Sequence, residues 1–327
     1  GQVIDHAVPR TVGAGERALY HALYPARHAL HSSDEFARAC GLPQAPLDDL
    51  AAFHVIFGKT VPDVSLNAVA NLGYAEGRWR AQVYAGDTLR SSSEVIGLKE
   101  NSSRTSGVVY VRTRGTNQRG EIVMDYVRWV MVRKRDAEAA APETVVPELK
   151  RALTVADLAI PAGLTFAKYD FAQAGEPHRL GDYAVGEVID HVDGVTIEEA
   201  EHMMATRLWQ NTAKVHFDAT FREDGRRLIY GGHVISMARA LSFNGLANAQ
   251  MIVGLNGGAH ANPCFSGDTV RAWSEVLDTA ETSAPNVGAI RLRLVATKGA
   301  AGALKNAEGK YLPEVLLDLD YWALMPI

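Results

Sequence analysis

A run of hydrophobic residues that follows Gly231-Gly232 predicts a helix that is buried on all sides. Its apolar positions leave almost no polar face, and they are Val234, Ile235, Met237, Ala238, Leu241, Phe243 and Leu246. A helix on the surface of a globular protein keeps one polar face toward water, so this helix must be enclosed by other elements. We therefore expect the rest of the chain to wrap around it.

Alternating and β-branched positions predict three long strands in each half of the chain. The pattern is clear in residues 108–112 (VVYVR) and 290–294 (IRLRL). The six predicted strands cover residues 88–99, 107–114, 121–132, 269–277, 288–295 and 311–324. Turn sequences between them, such as Asn-Gln-Arg-Gly at residues 117–120, are typical of hairpins and indicate an antiparallel sheet.

The two halves of the chain share short sequences that occur in the same order. Residues 1–6 (GQVIDH) return as residues 186–191 (GEVIDH), at an offset of 185. Three further matches are residues 57–61 with 230–234 at offset 173, 84–88 with 265–269 at offset 181, and 93–95 with 274–276 at offset 181. Ordered matches are uncommon by chance, so they predict two copies of one fold, at residues 1–136 and 165–327. The intervening residues 137–164 are rich in Ala and Pro near their start, which is typical of a linker.

Each predicted copy contains a short first strand, a helical segment, the apolar helix and three long strands. In the first copy, the match at offset 173 begins the apolar helix near Gly58 and places Pro62 in its first turn. Polar residues would then line one face of that helix, and they are Thr60, Asp63, Asn67 and Asn71. In the second copy, Thr196 and Glu199 have the spacing of a capping box at the start of the helical segment.

An antiparallel sheet of about five strands that curls round a long helix is the hotdog architecture, so two copies predict an α+β double hotdog. The composition is that of an ordinary globular protein, with 47% hydrophobic and 22% charged residues. A net charge of −5 provides no basic field for nucleic acid. Cys40 and Cys264 are too few for a disulfide framework or a zinc site. The sequence shows neither an apolar run of eighteen residues nor a signal-peptide pattern, so we expect a cytoplasmic protein without a membrane partner.

The repeat, the Gly-Asp-Thr turns at residues 86–88 and 267–269, and Gly231-Gly232 resemble the MaoC-like (R)-specific enoyl-CoA hydratases in their fused form. Three segments look like a subgroup that acts on branched five-carbon dicarboxylic acyl-CoA thioesters, and they are residues 22–30 (ALYPARHAL), 57–74 (FGKTVPDVSLNAVANLGY) and 127–131 (VRWVM). The resemblance implies a hydro-lyase whose substrate carries coenzyme A, with no metal or other cofactor. It also implies a homodimer or a higher homo-oligomer.

The catalytic motif of this family, Asp-x-Asn-Pro-aliphatic-His, aligns with residues 211–216 (NTAKVH). The family histidine falls on His216, whereas the acid position falls on Asn211. Imidazole titrates near neutral pH, so His216 is the candidate acid-base residue. Asn211 could hold the water molecule but cannot usefully exchange a proton. Three residues remain alternatives for the missing acid, and they are Asp218, His31 and His28.

Gly231-Gly232 also predicts a place to stabilise negative charge on the thioester oxygen. The first N–H groups of a helix have no intrahelical partner and lie at the positive end of the helix dipole. We expect the N–H of Gly232, together with that of His233, to form the oxyanion hole. A glycine there would allow the thioester to approach the backbone closely.

A second carboxylate on the acyl group would need a cation, because an unpaired charge in a pocket is costly. Arg27 is the first candidate for this role and Lys214 the second. Lys59 is a candidate for the phosphates of coenzyme A, and His31, which matches His216 at offset 185, would help to shape the acyl pocket. The same fold also hosts acyl-CoA thioesterases and could serve as a non-catalytic acyl-CoA binding module, so both remain alternative functions.

Overall fold

The structure, a computed structural model, describes residues 1–66, 68–136 and 138–327. Its strands are β1 (Val3–Thr11), β2 (Ala68–Trp79), β3 (Thr88–Glu100), β4 (Ser106–Thr116), β5 (Ile122–Arg133), β6 (Val188–Thr196), β7 (Met251–His260), β8 (Thr269–Glu281), β9 (Val287–Thr297) and β10 (Val315–Pro326). Its α-helices are α1 (Ala14–Leu23), α2 (Ala29–Ser32), α3 (Asp34–Ala39), α4 (Asp49–Thr60), α5 (Phe171–Ala174), α6 (Glu199–Leu208), α7 (Lys214–Phe217), α8 (Gly231–Leu241) and α9 (Phe243–Leu246). In the described part of the chain, no helix is both long enough and apolar enough to cross a membrane.

The strands form one antiparallel sheet in the order β1-β3-β4-β5-β2-β7-β10-β9-β8-β6. The first half of the chain supplies the first five strands in this order and the second half the other five. They meet where β2 pairs with β7, with Tyr74 opposite Gly258 and Gly77 opposite Leu255. The six long strands predicted from the alternating pattern are all present, and each begins or ends within a few residues of its predicted bounds.

Helices α4 and α8 pack against the sheet, α4 on β1, β3 and β7 and α8 on β6, β8, β9 and β10, and the prediction of a wholly buried helix is confirmed for α8. Every residue of α8 except Gly231 is buried, and all twelve residues of α4 are buried. Phe53 and Ile56 of α4 belong to the same hydrophobic core as Ile235 and Met237 of α8. The two halves therefore share one core, and the groups at the ends of α4 and α8 lie close to both halves.

The predicted start of the first-copy helix was wrong, because α4 ends at Thr60 rather than beginning near Gly58. The sequence match at offset 173 is a chance similarity: α4 begins 182 residues before α8, in line with the offsets of the flanking strands. After Thr60 the chain forms a π-helical turn, Val61–Ser65, and then enters β2. Asn71 is consequently a strand residue and does not share a helix face with Thr60 and Asp63, while Asn67 lies outside the described residues.

Two further local predictions differ from the structure. The helical segment of the second half begins at Glu199 with Glu198 as its N-cap, so the predicted capping box at Thr196 is wrong. Thr196 instead ends β6, where its hydroxyl group hydrogen-bonds to the hydroxyl of Thr269 on β8 at 2.8 Å. Strands β2 and β7 were not predicted, because their glycines and polar residues interrupt the alternating pattern.

Residues 134–187 connect the two halves and include the predicted linker 137–164. Several of its side chains are buried, among them Leu153, Leu164 and Phe166. They pack in a second hydrophobic cluster with residues of both halves, including Leu30 and Trp322. The described part of this connection thus covers the junction of the halves, and the division of the chain at residues 136 and 165 stays a prediction.

Candidate active site

A cleft of about 740 Å³ lies where the two halves meet. Its walls come from α7 and the start of α8 in the second half and from β2 and β5 in the first half. The volume falls within the roughly 300–1,000 Å³ of small-molecule sites. Among the sequence-predicted site residues, His216, Asn211 and Lys214 line this cleft.

His216 is held in one orientation by a backbone carbonyl. It lies in the short helix α7, and residues 215 and 228 are joined by a hydrogen bond from the Leu228 N–H to the Val215 carbonyl, 3.0 Å. The Nδ1 of His216 donates to the carbonyl oxygen of Leu228 at 2.7 Å. Because Nδ1 carries the proton of the neutral ring, Nε2 keeps a lone pair with which it can accept a proton.

The pKa of His216 favours this neutral form. Burial in the cleft lowers the pKa below its ordinary value of 6.5, and the hydrogen bond to Leu228 opposes that shift. At neutral pH the ring is therefore unprotonated and can act as a general base.

Asn211 lines the same cleft as His216 and is buried. Its backbone N–H donates to the Thr206 carbonyl at 2.9 Å, and its Oδ1 accepts weakly from the Ala213 N–H at 3.4 Å. No hydrogen-bond partner of Nδ2 is found among the described residues, so this amide group can donate to a water molecule or to a substrate in the cleft.

The start of α8 forms the wall of the cleft through Gly231, not through Gly232. A Cβ atom on Gly232 would lie 2.4 Å from the ring of Tyr230 and 2.7 Å from that of His54, so this residue faces the core. The N–H of His233 already donates to the Tyr230 carbonyl at 2.9 Å. The N–H groups of Gly231 and Gly232 both precede the first intrahelical hydrogen bond, and Gly231 lines the cleft, so its N–H is a further candidate donor to the thioester oxygen, while the role of Gly232 stays a prediction.

His260 and Tyr74 also line the cleft and were missed in the sequence. They lie on β7 and β2, and the Nε2 of His260 is 3.2 Å from the Tyr74 hydroxyl. The imidazole of His260 packs directly on Gly231, where an added Cβ would lie 2.4 Å from Cε1. Burial, with a smaller contribution from His216, lowers the pKa of His260 to about 4. His260 is therefore neutral at pH 7 and supplies a fixed polar edge opposite His216.

The structure does not place Arg27 or Lys59 at the cleft. Arg27 stacks on the ring of Phe243, 4.3 Å from its centroid, and donates from Nη2 to Asn244 Oδ1 at 3.1 Å. Lys59 is buried on the other side of α4, where its Nζ donates to the carbonyl of Val8. Neither side chain lines the cleft, so the structure does not bring Arg27 or Lys59 together with His216, and their binding roles stay predictions.

The imidazole of His233 is also buried away from the cleft. It lies between the Tyr24 hydroxyl, 3.2 Å from Nδ1, and Glu201, 3.4 Å from Nε2. These core contacts occupy both ring nitrogens, so the His233 side chain does not line the cleft, and its substrate-binding role stays a prediction.

None of the three alternatives for the missing acid faces the cleft. Asp218 is exposed and accepts hydrogen bonds from the N–H and hydroxyl of Thr220. His28 is buried with its ring edge-on to Phe243. His31 occupies in α2 the place that His216 has in α7, but its Nε2 is bound to the carboxylate of Asp49 at 3.2 Å. Asp49 in turn accepts the Ile252 N–H at 2.7 Å, so this pair connects the two halves structurally.

Replacing Asp49 with alanine is expected to lower the free energy of unfolding by about 3–5 kcal/mol, because it leaves His31 buried without its partner. Burial lowers the pKa of His31, but Asp49, Asp48 and the Pro46 carbonyl raise it, and the result is about 9. Because this value lies above the unfolded value of about 6.5, the pair stabilises fully below that pH and loses its effect as pH rises through 9. Denaturant unfolding at several pH values measures both effects.

The matched control for this variant is Asp224→Ala, which removes an exposed ion pair with Arg222. It should cost much less stability. Equal losses in the two variants would contradict a structural role for the His31–Asp49 pair.

Within residues 1–66, 68–136 and 138–327, no group of three or more His, Cys, Asp or Glu side chains is arranged to hold a metal ion. The mouth of the cleft instead carries the cations Lys214 and Arg133, both exposed. Their position is suited to the phosphates of a ligand whose acyl end enters the cleft.

Comparison with known proteins extends these findings to a family. The family model described as mesaconyl-CoA hydratase matches residues 4–302. The chain belongs to the mesaconyl-CoA hydratase family. A mesaconyl-CoA hydratase of Cereibacter sphaeroides is 75% identical over the whole chain, which covers 96% of that protein. A β-methylmalyl-CoA dehydratase of Chloroflexus aurantiacus is 56% identical, again over the whole chain and 95% of that protein.

Structural similarity confirms the fold of this family member. A protein of Mycobacterium tuberculosis with a double hotdog fold has a TM-score of 0.75 and 25% identity, and the match covers 99% of this chain and 96% of that protein. The predicted α+β double hotdog is therefore confirmed, and the crystal structure of a MaoC domain protein of Chloroflexus aurantiacus, with a TM-score of 0.97 and 56% identity over the whole chain and 95% of that protein, confirms the resemblance to the MaoC-like proteins. As in the other members, the expected substrate class is a coenzyme A thioester.

Proposed function

We propose that this chain reversibly hydrates mesaconyl-CoA to β-methylmalyl-CoA in the cleft between its two halves. The main support is His216, whose Nδ1 is fixed on the Leu228 carbonyl while its ring lines a cleft shared with the start of α8. The names of the two relatives describe the two directions of this reaction. A general base beside an oxyanion donor is what addition of water to an unsaturated thioester requires.

In the proposed mechanism, His216 Nε2 removes a proton from a water molecule held by the Asn211 amide. The water oxygen bonds to Cβ, and the electrons of the carbon–carbon double bond move toward the thioester and form an enolate. The N–H of Gly231 donates to the enolate oxygen. His216 then returns the proton to Cα, so that one water molecule has been added in total. This route needs no second acid, which is consistent with Asn211 at the family's acid position.

The proposal also includes the binding of coenzyme A, the absence of a cofactor, the cellular location and the oligomeric state. Lys214 and Arg133 would bind the phosphates of coenzyme A at the mouth of the cleft. Addition of water across the double bond leaves the overall oxidation state of the substrate unchanged, so the proposed reaction uses no redox cofactor, and we propose that it uses no metal. We further propose that the protein acts in the cytoplasm as a homodimer or higher homo-oligomer.

One assay separates this function from its alternatives. The protein is incubated with mesaconyl-CoA while the absorbance of the conjugated thioester and the concentration of free thiol are followed together. Loss of conjugation without free thiol is the expected result. Release of thiol would instead identify a thioesterase, and binding without either change would identify a non-catalytic acyl-CoA binding module.

A further inference from the structure

Arg128 is a buried cation whose charge has no counterpart in the described protein. It lies on β5, is fully buried and lines the cleft. Its Nη2 donates to the Thr60 hydroxyl at 2.7 Å, and its guanidinium group lies 4.3 Å from the centre of the Phe57 ring. Its Nε and Nη1 are buried and have no hydrogen-bond partner among the described residues.

An arrangement of this kind is costly unless an anion completes it. Within the described residues no carboxylate lies within 4.0 Å of the Arg128 guanidinium group. The other buried arginine, Arg239, differs because it donates to both the Ser242 hydroxyl and the Ala249 carbonyl. A buried charge without a partner destabilises a folded protein unless it is paired and hydrogen-bonded. Nε and Nη1 belong to different edges of the guanidinium group, and either one, together with the second N–H of Nη2, forms a fork that matches the two oxygens of a carboxylate.

Asn71 adds a second unpaired polar group on the adjacent strand. Its side-chain atoms Nδ2 and Oδ1 are enclosed and have no hydrogen-bond partner among the described residues. β2 pairs with β5 so that Tyr74 lies opposite Arg128 and Asn71 lies opposite Val130, and all four side chains belong to the wall of the cleft. Such diagonal neighbours on one face of a sheet are within reach of long side chains.

We propose that Arg128 and Asn71 bind a carboxylate at the end of the acyl group and thereby make the cleft selective for dicarboxylic acyl thioesters. A phosphate of coenzyme A fits this position less well, because apolar Phe57, Val61 and Val130 surround it, whereas Lys214 and Arg133 lie exposed at the mouth. The acyl chain would thus extend between His216 at the reacting carbons and Arg128 at the carboxylate. The proposal rests on the proposed hydration of an enoyl-CoA in the same cleft.

The test compares hydration of mesaconyl-CoA, which has the second carboxylate, with that of crotonyl-CoA, which lacks it. In Arg128→Met, kcat/KM for mesaconyl-CoA is expected to fall about 10²–10³-fold. The value for crotonyl-CoA should fall much less, so the ratio of the two values should collapse. The matched control is Arg112→Met, which removes an arginine of β4 that is paired with Glu76 of β2. This variant should keep the wild-type ratio of the two kcat/KM values. Equal losses on both substrates in Arg128→Met would overturn the carboxylate site.

A second variant protects the test against misfolding. Asn71→Asp keeps the size of the side chain but places a carboxylate next to Arg128, where it would compete with the substrate. Its kcat/KM for mesaconyl-CoA should fall about tenfold or more, with an unchanged midpoint of thermal unfolding. A wild-type ratio in Asn71→Asp would contradict the proposal. A wild-type protein that hydrates neither thioester would overturn the proposed function itself, whereas one that hydrates both equally would overturn only the carboxylate site.

Discussion

Replacement of His216 with alanine is expected to lower kcat/KM for hydration of mesaconyl-CoA by about 10²–10⁴-fold. The physical reason is that no other side chain of the described cleft combines a free imidazole nitrogen with a fixed tautomer. His260 lines the same cleft, but its Nε2 contacts the Tyr74 hydroxyl and its ring packs on Gly231. Steady-state rates measured at substrate concentrations from well below KM up to saturation give kcat/KM directly.

The pH dependence of the wild-type rate provides a second measure of the same group. The pKa of His216 lies below 6.5 because burial disfavours the charged ring. Since the neutral ring is the active base, kcat/KM should be level near pH 7 and fall as the pH drops below the pKa of His216. The residual rate of His216→Ala should lack this acid limb.

The matched control is His178→Ala, because the His178 side chain is exposed, lies near Glu176 and does not line the cleft. Its kcat/KM should stay at the wild-type value. Full hydratase activity in His216→Ala would show that the base lies elsewhere, even if the protein hydrates mesaconyl-CoA.

The second large effect is expected for Gly231→Ala, with a loss of about 10²–10³-fold in kcat/KM. The new methyl group would lie 2.4 Å from Cε1 of His260 and 2.7 Å from its Nδ1 and Nε2. The ring must therefore move, and its movement displaces both the His260 edge and the N–H that is proposed to bind the thioester oxygen. Overpacking of this kind also costs about 1–3 kcal/mol of stability, so the activity is measured at a temperature at which thermal unfolding shows the variant to be folded.

Gly15→Ala in α1 is the control for this substitution. No atom lies within 4 Å of a Cβ at that position, and the residue is helical. The variant should keep wild-type activity and gain about 0.5–1 kcal/mol of stability. If Gly231→Ala behaved in the same way, the start of α8 would not form the oxyanion site.

Much of the architecture could be predicted because it depends on patterns that are local in sequence. The apolar residues of α8 require enclosure, and the alternation in β4 and β9 requires a sheet with one buried face. The repeat was visible because the turns that begin β3 and β8 keep the same Gly-Asp-Thr sequence. The position of His216 in the cleft agrees with the spacing of the short motif at residues 211–216, while its catalytic role stays a prediction.

The binding residues could not be predicted in the same way, because they depend on which strands become neighbours. Arg128 comes into contact with the cleft only because β2 joins β5 to β7, and β2 was missed. One signal was present: Arg128 is a charged residue at the position that continues the inward-facing alternation of Met124 and Tyr126 in β5. Arg27 is the sequence candidate because it lies beside residue 26, which matches Asn211 at offset 185, but the fold directs its side chain to Phe243.

The most direct test of a shared site for both ends of the substrate is a crystal structure of His216→Asn with mesaconyl-CoA bound. The expected electron density places the enoyl carbons next to residue 216, the thioester oxygen on the N–H of Gly231 and the free carboxylate on Arg128. An acyl group bound in the first half beside His31, or a carboxylate that points away from Arg128, would contradict this site.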